Sequence, residues 1–361
     1  MSSINVINIK HPSASSNAIT LAADGSAFIN TGVLASRNRI INGDMRIDQR
    51  NAGASVTIND GVIYTLDRWA ANDNSDGSFT VQRSTVAPAG FTNSLLCTVA
   101  SADTSLASNQ FAYISQIIEG FNTGDLNFGS ANARTVTLSF WVRSSLTGTF
   151  GGSLRNGVAD RSYPFTYSIA AANTWEYKTI TIAGDTTGTW ATDNSAGIGV
   201  FFGLGVGSAT SGAAGAWTAA NCVSATGATS VIGTNSATFY ITGVQLEAGS
   251  IATPFERRSY GLELQLCQRY FEIQDLGAVT TAYVSGGYNY HVGMVRWKVT
   301  KRVAPTTNTP AVGNYQPGGG SGTASVSSAT VDGGLLLSGS TNMTFPNQWL
   351  GGTILTISAE L

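Results

Sequence analysis

The sequence predicts an all-β protein, and three observations carry that prediction. Short segments alternate apolar and polar residues with a period of two, the pattern of strands half-buried in a sheet. Turn residues separate these segments, and Gly alone fills 42 of the 361 positions. Charged residues make up only 11% of the chain, against roughly 25% in average soluble domains. Ser, Thr, Asn, Gly and Ala must therefore form the surface, and they suit turns and strands better than long helices.

Residues 1–36 form the first predicted unit, an N-terminal segment of short strands. Three brief apolar runs are separated by a breaker at His11 and Pro12 and by a turn at Asp24 and Gly25. A segment of this length cannot bury enough surface to fold alone. We therefore expect it to intertwine with copies of itself, or to attach to a larger body.

Residues 37–256 predict a central antiparallel β-sandwich. The run 134–143 places four apolar residues on one face and Trp141 on the other. The run 175–182 alternates in the same way, and 237–247 keeps its alternation only with an offset near Gly243, which predicts a β-bulge. Strands that follow one another without helical patterns between them favour two antiparallel sheets packed face to face.

Residues 257–272 predict a connector helix, and residues 273–361 a smaller C-terminal β domain. The helix is expected over 259–271, where Ser259 can cap its first turn after Pro254. In the C-terminal domain, the strongest alternation follows His291, a Pro- and Gly-rich loop occupies 310–322, and the chain closes on a predicted strand.

The rare residue types exclude several classes of chemistry. The two histidines, His11 and His291, are far apart in the chain, so no Ser-His-Asp, Cys-His or multi-His metal arrangement is expected. Cys97, Cys222 and Cys267 form no C-x-x-C pair, and each is interpreted as a small buried apolar residue. The formal net charge of -2 offers no basic surface for nucleic acid. We also predict neither a cleaved leader nor membrane insertion, because no leader-like N-terminus and no long apolar run are present.

Two weaker patterns concern metals and nucleotides. Residues 72–77 resemble the start of a calcium loop, but Arg83 occupies the position where a bidentate Glu is required, so a solvated turn is preferred. The segments 185–188 and 193–194 could hold a structural calcium ion, although nothing else in the sequence supports it, and no cofactor is predicted. Gly203, Gly205 and Gly207 lack the spacing of a dinucleotide-binding loop and are expected to relieve crowding.

Several motifs together resemble a known family. They are the segments 10–17, 38–50, 67–69, 243–260 and 261–271. These segments resemble tail fibre and tail-associated proteins of bacteriophages, especially phages of aquatic bacteria, and the similarity extends over most of residues 1–272. The resemblance implies a central module similar to carbohydrate-binding jelly rolls, within a homotrimeric fibre that binds a sugar or another receptor. It also implies assembly in the infected cytoplasm and release by lysis, which requires no leader.

Sugar binding needs aromatic faces for stacking and amides or hydroxyls for orientation. In the predicted sandwich, the tryptophans that could serve are Trp141, Trp175, Trp190 and Trp217. A single tryptophan is more commonly a core residue, and loops commonly present function on a rigid scaffold. The preferred receptor-binding or glycan-binding set therefore lies in the turn-rich C-terminal domain: Tyr288, Asn289, Tyr290, His291, Tyr315 and Trp349.

The sequence thus predicts a non-enzymatic virion protein, a homotrimeric tail fibre that attaches to a host-surface glycan or another receptor. Its N-terminal segment would attach to another tail or baseplate protein. Two alternatives stay open: a structural connector or decoration subunit without receptor binding, and a glycan depolymerase. The depolymerase is disfavoured, because no local pair of carboxylates stands out and the extended repeat of a parallel β-helix is missing.

Overall fold

The computed structural model describes residues 8–9, 19–21, 27–29, 37–275, 282–285, 288–308, 311–312, 322–340 and 354–361. In these ranges the chain forms strands, one α-helix and three short 3-10 turns, so the all-β prediction is confirmed. The 3-10 turns are Gly120–Asn122, Gly124–Leu126 and Ser208–Thr210.

The N-terminal residues form a small antiparallel sheet in the order β1-β2-β3. Its strands are β1 (Asn8–Ile9), β2 (Ile19–Leu21) and β3 (Ala27–Ile29). The short strands expected in this segment are therefore present. Intertwining with other copies stays a prediction.

The central body is a sandwich of two six-stranded antiparallel sheets. The body's strands are β4 (Val56–Ile58), β5 (Gly61–Tyr64), β6 (Ala70–Asp73), β7 (Ser78–Ser84), β8 (Ser94–Ser101), β9 (Phe111–Glu119), β10 (Val136–Ser144), β11 (Gly148–Asn156), β12 (Ser162–Ile169), β13 (Glu176–Ile182), β14 (Ala196–Val206), β15 (Ser211–Gly212), β16 (Ser224–Ala225) and β17 (Thr238–Ala248). The front sheet has the order β13-β10-β17-β8-β7-β4, and the back sheet has the order β12-β11-β14-β9-β6-β5. The pair β15-β16 is parallel and lies outside both sheets.

Eight of these strands have the connectivity of a jelly roll. Along the chain, β8 to β14 and then β17 pass between the sheets so that the front order is β8-β17-β10-β13 and the back order is β9-β14-β11-β12. Two interlocked Greek keys produce this arrangement. The other four strands of the two sheets, β7 and β4 in front and β6 and β5 behind, extend both sheets on the same side. The sandwich predicted from alternation is confirmed, and its topology is that of a jelly roll.

The core lies between the inner faces of the two sheets. The four apolar residues of β10 that were predicted to share a face, including Phe140, are all fully buried. The Phe140 ring packs edge-on against Tyr167 and Phe202, each at 5.0 Å between centroids. Cys97 is part of the same core, and the three cysteines are buried and unpaired, as expected.

Residues 208–228, which we call the cover, pack on the outer face of the back sheet over β9, β14, β11 and β12. Val223 of the cover packs against Tyr113 and Phe201, and all three are buried. The cover lies close to β14 at Gly203, where an added Cβ would lie 2.5 Å from the Ser224 hydroxyl oxygen. The interpretation that this glycine relieves crowding is confirmed.

The predicted helix is α1 (Tyr260–Gln268), and the Ser259 hydroxyl accepts a hydrogen bond from the Leu262 N–H as its cap. It ends earlier than expected because Phe271 already begins a strand. The following strands are β18 (Phe271–Asp275), β19 (Ala282–Ser285), β20 (Tyr288–Arg296), β21 (Thr306–Thr307), β22 (Ala311–Val312), β23 (Gly322–Ser327), β24 (Gly333–Ser340) and β25 (Ile354–Ser358). They form two sheets, β18-β25-β21 and β19-β20-β24-β23-β22.

Charged side chains join the C-terminal residues to the sandwich. Glu360 forms ion pairs with Arg50 and Arg68, and the Arg269 guanidinium pairs with the buried Glu119. A buried ion pair that loses one partner leaves an uncompensated charge, so this junction depends on every member. The predicted domain boundaries at 36, 256 and 272 stay predictions.

Candidate functional site

The outer face of the front sheet is divided in two by residues 249–258, which we call the strap. The strap leaves β17 and crosses back over the sheet. The Thr137 hydroxyl donates to the Gly249 carbonyl at 2.8 Å, and the Thr181 hydroxyl donates to the Ser250 carbonyl at 3.2 Å. One half of the sheet face is therefore covered, and the other half is left open.

Beneath the strap the outward side chains are polar and buried. They are Thr137, Ser139, Gln245 and Glu247, each at most 2% exposed. The Glu247 carboxylate accepts from the Thr253 N–H at 2.8 Å and from the Thr253 hydroxyl at 2.7 Å. The Gln245 amide donates to the same carboxylate at 2.8 Å. These bonds offset the cost of removing polar groups from water.

Beyond the strap the outward side chains are aromatic and remain in contact with solvent. We call Trp141, Trp175, Tyr177 and Tyr240 the aromatic platform. Trp141 lies 5.4 Å from Tyr177, and Trp175 lies 6.0 Å from Tyr240, between ring centroids. Tyr177 is 44% exposed, and the other three are half-buried. No segment of the described chain covers them as the strap covers its half.

Strand register sets the layout of the platform. Trp141 of β10 pairs with Tyr177 of β13. The predicted bulge at Gly243 is confirmed by a register shift between β10 and β17 and by a φ of +62° at this glycine. An added Cβ there would lie 2.7 Å from the Phe91 ring and 3.2 Å from the Trp141 ring. Only glycine lets these two rings flank the strand.

Arg143 lies within the platform, and no acid of the described residues pairs with it. The Arg143 guanidinium lies 5.1 Å from the Tyr240 ring centroid, a cation–π contact. Among the described residues, Arg143 has neither a side-chain hydrogen bond nor an ion pair, and its buried Nε lacks an acceptor. Arg257 lies 4.7 Å from the Phe91 ring centroid and donates to the Gly90 carbonyl.

A second aromatic group lies at the β13–β14 connection. Phe128, Trp190 and Trp217 pack edge-on against one another at 4.9 to 5.8 Å, and both indole N–H groups donate to main-chain carbonyls. A cavity of about 200 Å³ lies beside them. Its lining residues are Thr123, Gly124, Asn127, Phe128, Ser130, Trp190, Ala191, Thr192 and Ile198, with no acid or base among them.

The preferred C-terminal site cannot be compared side chain by side chain. Tyr288, Asn289, Tyr290 and His291 lie in β20, paired with β19 and β24, and only their backbone is described. Tyr315 and Trp349 lie outside the described residues. This set stays a prediction.

Sequence reasoning named Trp141 and Trp175 among the sandwich candidates but missed Tyr177, Tyr240 and Arg143. A usable signal was present, because Trp141 and Arg143 share the otherwise polar face of β10. Tyr240 alternates with the buried Phe239 and Ile241 of β17 in the same way. Aromatic side chains on the solvent-facing side of an alternating strand are the signal that indicates this site.

Two carboxylates, Asp185 of a candidate calcium segment and the buried Asp67, are bonded to other side chains of the protein. Arg161 donates to both oxygens of Asp185, at 2.7 and 2.8 Å, so the chain itself neutralises this carboxylate. Burial raises the pKa of Asp67 to about 6, but both its oxygens accept hydrogen bonds from Gln49 inside the junction. Within the described ranges, no three His, Cys, Asp or Glu side chains cluster to hold a metal ion. No described helix has the length and apolar character needed to cross a membrane.

Of the comparisons with known proteins, only the comparison with solved structures finds similar chains. No protein-family model matches the chain, and no curated protein matches it. A putative sugar-binding protein from Bacteroides thetaiotaomicron aligns with 59% of this chain and all of its own, at 11% identity and a TM-score of 0.33. A family 11 carbohydrate-binding module from Clostridium thermocellum aligns with 56% of this chain and all of its own, at 9% identity and a TM-score of 0.29.

A third similar structure is the enzymatically active domain of tailspike protein 4 from bacteriophage CBA120. It aligns with 59% of this chain at 14% identity and a TM-score of 0.28, and the aligned part spans only 22% of that tailspike chain. Scores and identities this low do not transfer a function. The site has to be judged by its own residues.

Proposed function

We propose that this chain is a glycan-binding virion protein, a homotrimeric bacteriophage tail fibre whose aromatic platform holds a polysaccharide of the host surface. The observation that carries the proposal is an inversion of polarity on one sheet face. The half that the strap covers is polar, and the half left in water is aromatic. The hydrophobic effect alone would bury the aromatic half and leave the polar half in water. A ligand that covers the rings best explains their exposure.

The chemistry of the platform suits sugars. Aromatic faces pack against the apolar C–H faces of pyranose rings, while hydroxyl and guanidinium groups orient the sugar hydroxyls. Thr179 follows Tyr177 on the same exposed face of β13, and Arg143 supplies free donors. A row of rings on an open sheet can contact several consecutive sugar units of a polysaccharide, whereas small ligands are usually enclosed in pockets.

The proposed activity is binding without catalysis. Glycoside hydrolysis needs two carboxyl groups about 5 to 9.5 Å apart across the bond that is cleaved. Neither the platform rings nor the lining of the cavity beside Trp190 includes an acid. Glu247 lies beneath the strap with its oxygens bonded to Thr253 and Gln245. These placements favour binding over a depolymerase.

The virion assignment and the trimer rest on the sequence. The motifs at 38–50 and 243–260 resemble those of phage tail proteins. From 303 to 359 the only charged residue is Asp332, and uncharged strand surfaces can bury one another around a three-fold axis. In this proposal residues 1–36 attach to another tail or baseplate protein, and the fibre is assembled in the host cytoplasm.

Glycan arrays and whole-cell binding with the full chain test the proposal. Trp141→Ala or Tyr177→Ala should weaken glycan binding about tenfold, because a stacked ring pair contributes up to about 1.5 kcal/mol. Their melting temperatures should stay close to that of the unchanged protein, since both rings are partly exposed. Trp217→Ala is the matched control and should leave binding unchanged.

Each alternative has its own result. Unchanged binding by both platform variants would exclude the platform as the site. If the full chain binds neither glycans nor cells, the structural connector is favoured. Release of reducing sugar ends from host polysaccharide would favour a depolymerase. A monomeric mass in solution would contradict the homotrimer.

A further inference from the structure

We infer that the glycan held by the platform is acidic, with a carboxylate or phosphate group placed against Arg143. The inference rests on the proposed function and names the class of glycan. It follows from the position of Arg143, from its lack of a partner and from the charges around it.

The position of Arg143 is central. It lies in β10, between β13 and β17, and pairs in register with Tyr240. Trp141 precedes it by two residues on the same outward face of β10, and Trp175 contacts the Tyr240 ring from the β13 side. A sugar stacked on these rings would therefore meet the guanidinium group.

The lack of a partner is unusual for a half-buried arginine of this chain. Arg68, Arg161 and Arg269 are examples of the common pattern, in which a guanidinium meets a carboxylate. Within the described residues, Arg143 contacts only the Tyr240 ring. Its donors are held in place by strand and ring contacts, while the acceptors that would satisfy them must come from outside the described chain.

Among the described residues no acidic side chain lies on the platform itself. Glu176 separates Trp175 from Tyr177 in sequence, but it pairs in register with the inward-facing Val142 and forms an ion pair with Lys178. Leu96 beside Tyr240 is neutral, and Arg257 stacks on Phe91 at the bulge. A cationic group with no acid on its own platform selects anionic ligands by complementarity, and a guanidinium fork binds carboxylate or phosphate through two parallel hydrogen bonds.

Paired polysaccharides test the inference with the full chain. The probes are polygalacturonate and a phosphomannan, each beside its neutral parent, a carboxyl-reduced polygalacturonate and a mannan. We expect at least one anionic probe to bind at least tenfold more tightly than its parent, and the probe that does so distinguishes carboxylate from phosphate. Arg143→Gln should remove that preference, with the melting temperature as a check of folding. Arg143→Lys should retain part of the preference, because the charge stays and the fork is lost.

Arg155→Gln is the matched control, since Arg155 also stacks on a ring, Phe201, but on the covered back sheet. It should leave anionic binding unchanged. Neutral glycans bound as tightly as acidic ones, or an anionic preference that survives Arg143→Gln, would overturn the inference while the proposed function stands. If neither acidic nor neutral glycans bind at all, the proposed function fails and the inference fails with it.

Discussion

The two outer faces of the sandwich carry the same kind of side chains and differ in what covers them. On the back sheet Arg155 stacks on Phe201, and on the front sheet Arg143 stacks on Tyr240. Phe201 is 1% exposed beneath the cover, whereas Tyr240 keeps contact with solvent on the open half of its sheet. The same pairing is structural on one face and available to a ligand on the other. Exposure, which residue type does not reveal, decides the role.

The covering segments also bury different side chains. The cover bonds to the edge strand β12, where Ser162 and Thr218 exchange main-chain hydrogen bonds, and it places Val223 on the apolar rings of Tyr113 and Phe201. The strap instead bonds to polar side chains of the sheet, as in the hydrogen bonds between Thr253 and Glu247. The back face therefore has aromatic rings beneath its cover, whereas the front face has polar groups beneath its strap and leaves its rings outside.

The largest predicted effect is a difference in stability between alanine variants of the two stacked rings. Phe201→Ala removes a buried ring, and we expect it to lower the free energy of unfolding by about 3 to 5 kcal/mol. Tyr240→Ala should cost less, about 1 to 2 kcal/mol, because part of that ring is already in contact with water. Denaturant unfolding of the two variants measures both values. Equal losses would mean that the front face is also covered, for example by a second copy of the chain.

A smaller loss of stability should follow when a methyl group is added beneath the cover. Gly203→Ala places a Cβ 2.5 Å from the Ser224 hydroxyl, and overpacking of this kind costs about 1 to 3 kcal/mol. The matched variant is Gly261→Ala in α1, where an added Cβ meets nothing within 4 Å. It should leave stability unchanged or raise it by about 0.5 to 1 kcal/mol, because alanine favours a helix. A neutral Gly203→Ala would show that the cover is not packed tightly on β14.

The smallest effect should come from the strap. Thr253→Val removes the hydroxyl that donates to Glu247 at 2.7 Å, and we expect a loss of about 1.5 kcal/mol, the lower end for a hydrogen bond to a charged group. Amide hydrogen exchange in residues 249–258 should accelerate. Thr181→Val serves as the control, because its bond to Ser250 lies at the exposed edge. Unchanged exchange in Thr253→Val would mean that apolar packing holds the strap.

The charge-free stretch between Asn194 and Leu246 shows how a correct sequence observation can have more than one cause. Neutral strand faces of this kind can meet another subunit or a sugar. In the structure much of β14 is buried on both faces, by the core on one side and by the cover on the other. Burial within one chain accounts for part of the missing charge, so the trimer has to be tested through other residues.

The sequence by itself determined the all-β class, the inward faces of the strands, the bulge at Gly243 and the cap at Ser259. These features depend on residues close together in the chain, because a strand alternates every second residue and a cap spans one turn. It also placed Trp141 on the face of β10 that points away from the core.

Only the tertiary structure decided which outward faces meet water. The cover and the strap each lie far along the chain from most of the strands they cross, and alternation within one strand carries no information about such distant segments. The same holds for the platform, because Trp141, Tyr177 and Tyr240 come from three strands that become neighbours only through the sheet order. Local periodicity assigns a side chain to a face, and long-range packing determines what that face can bind.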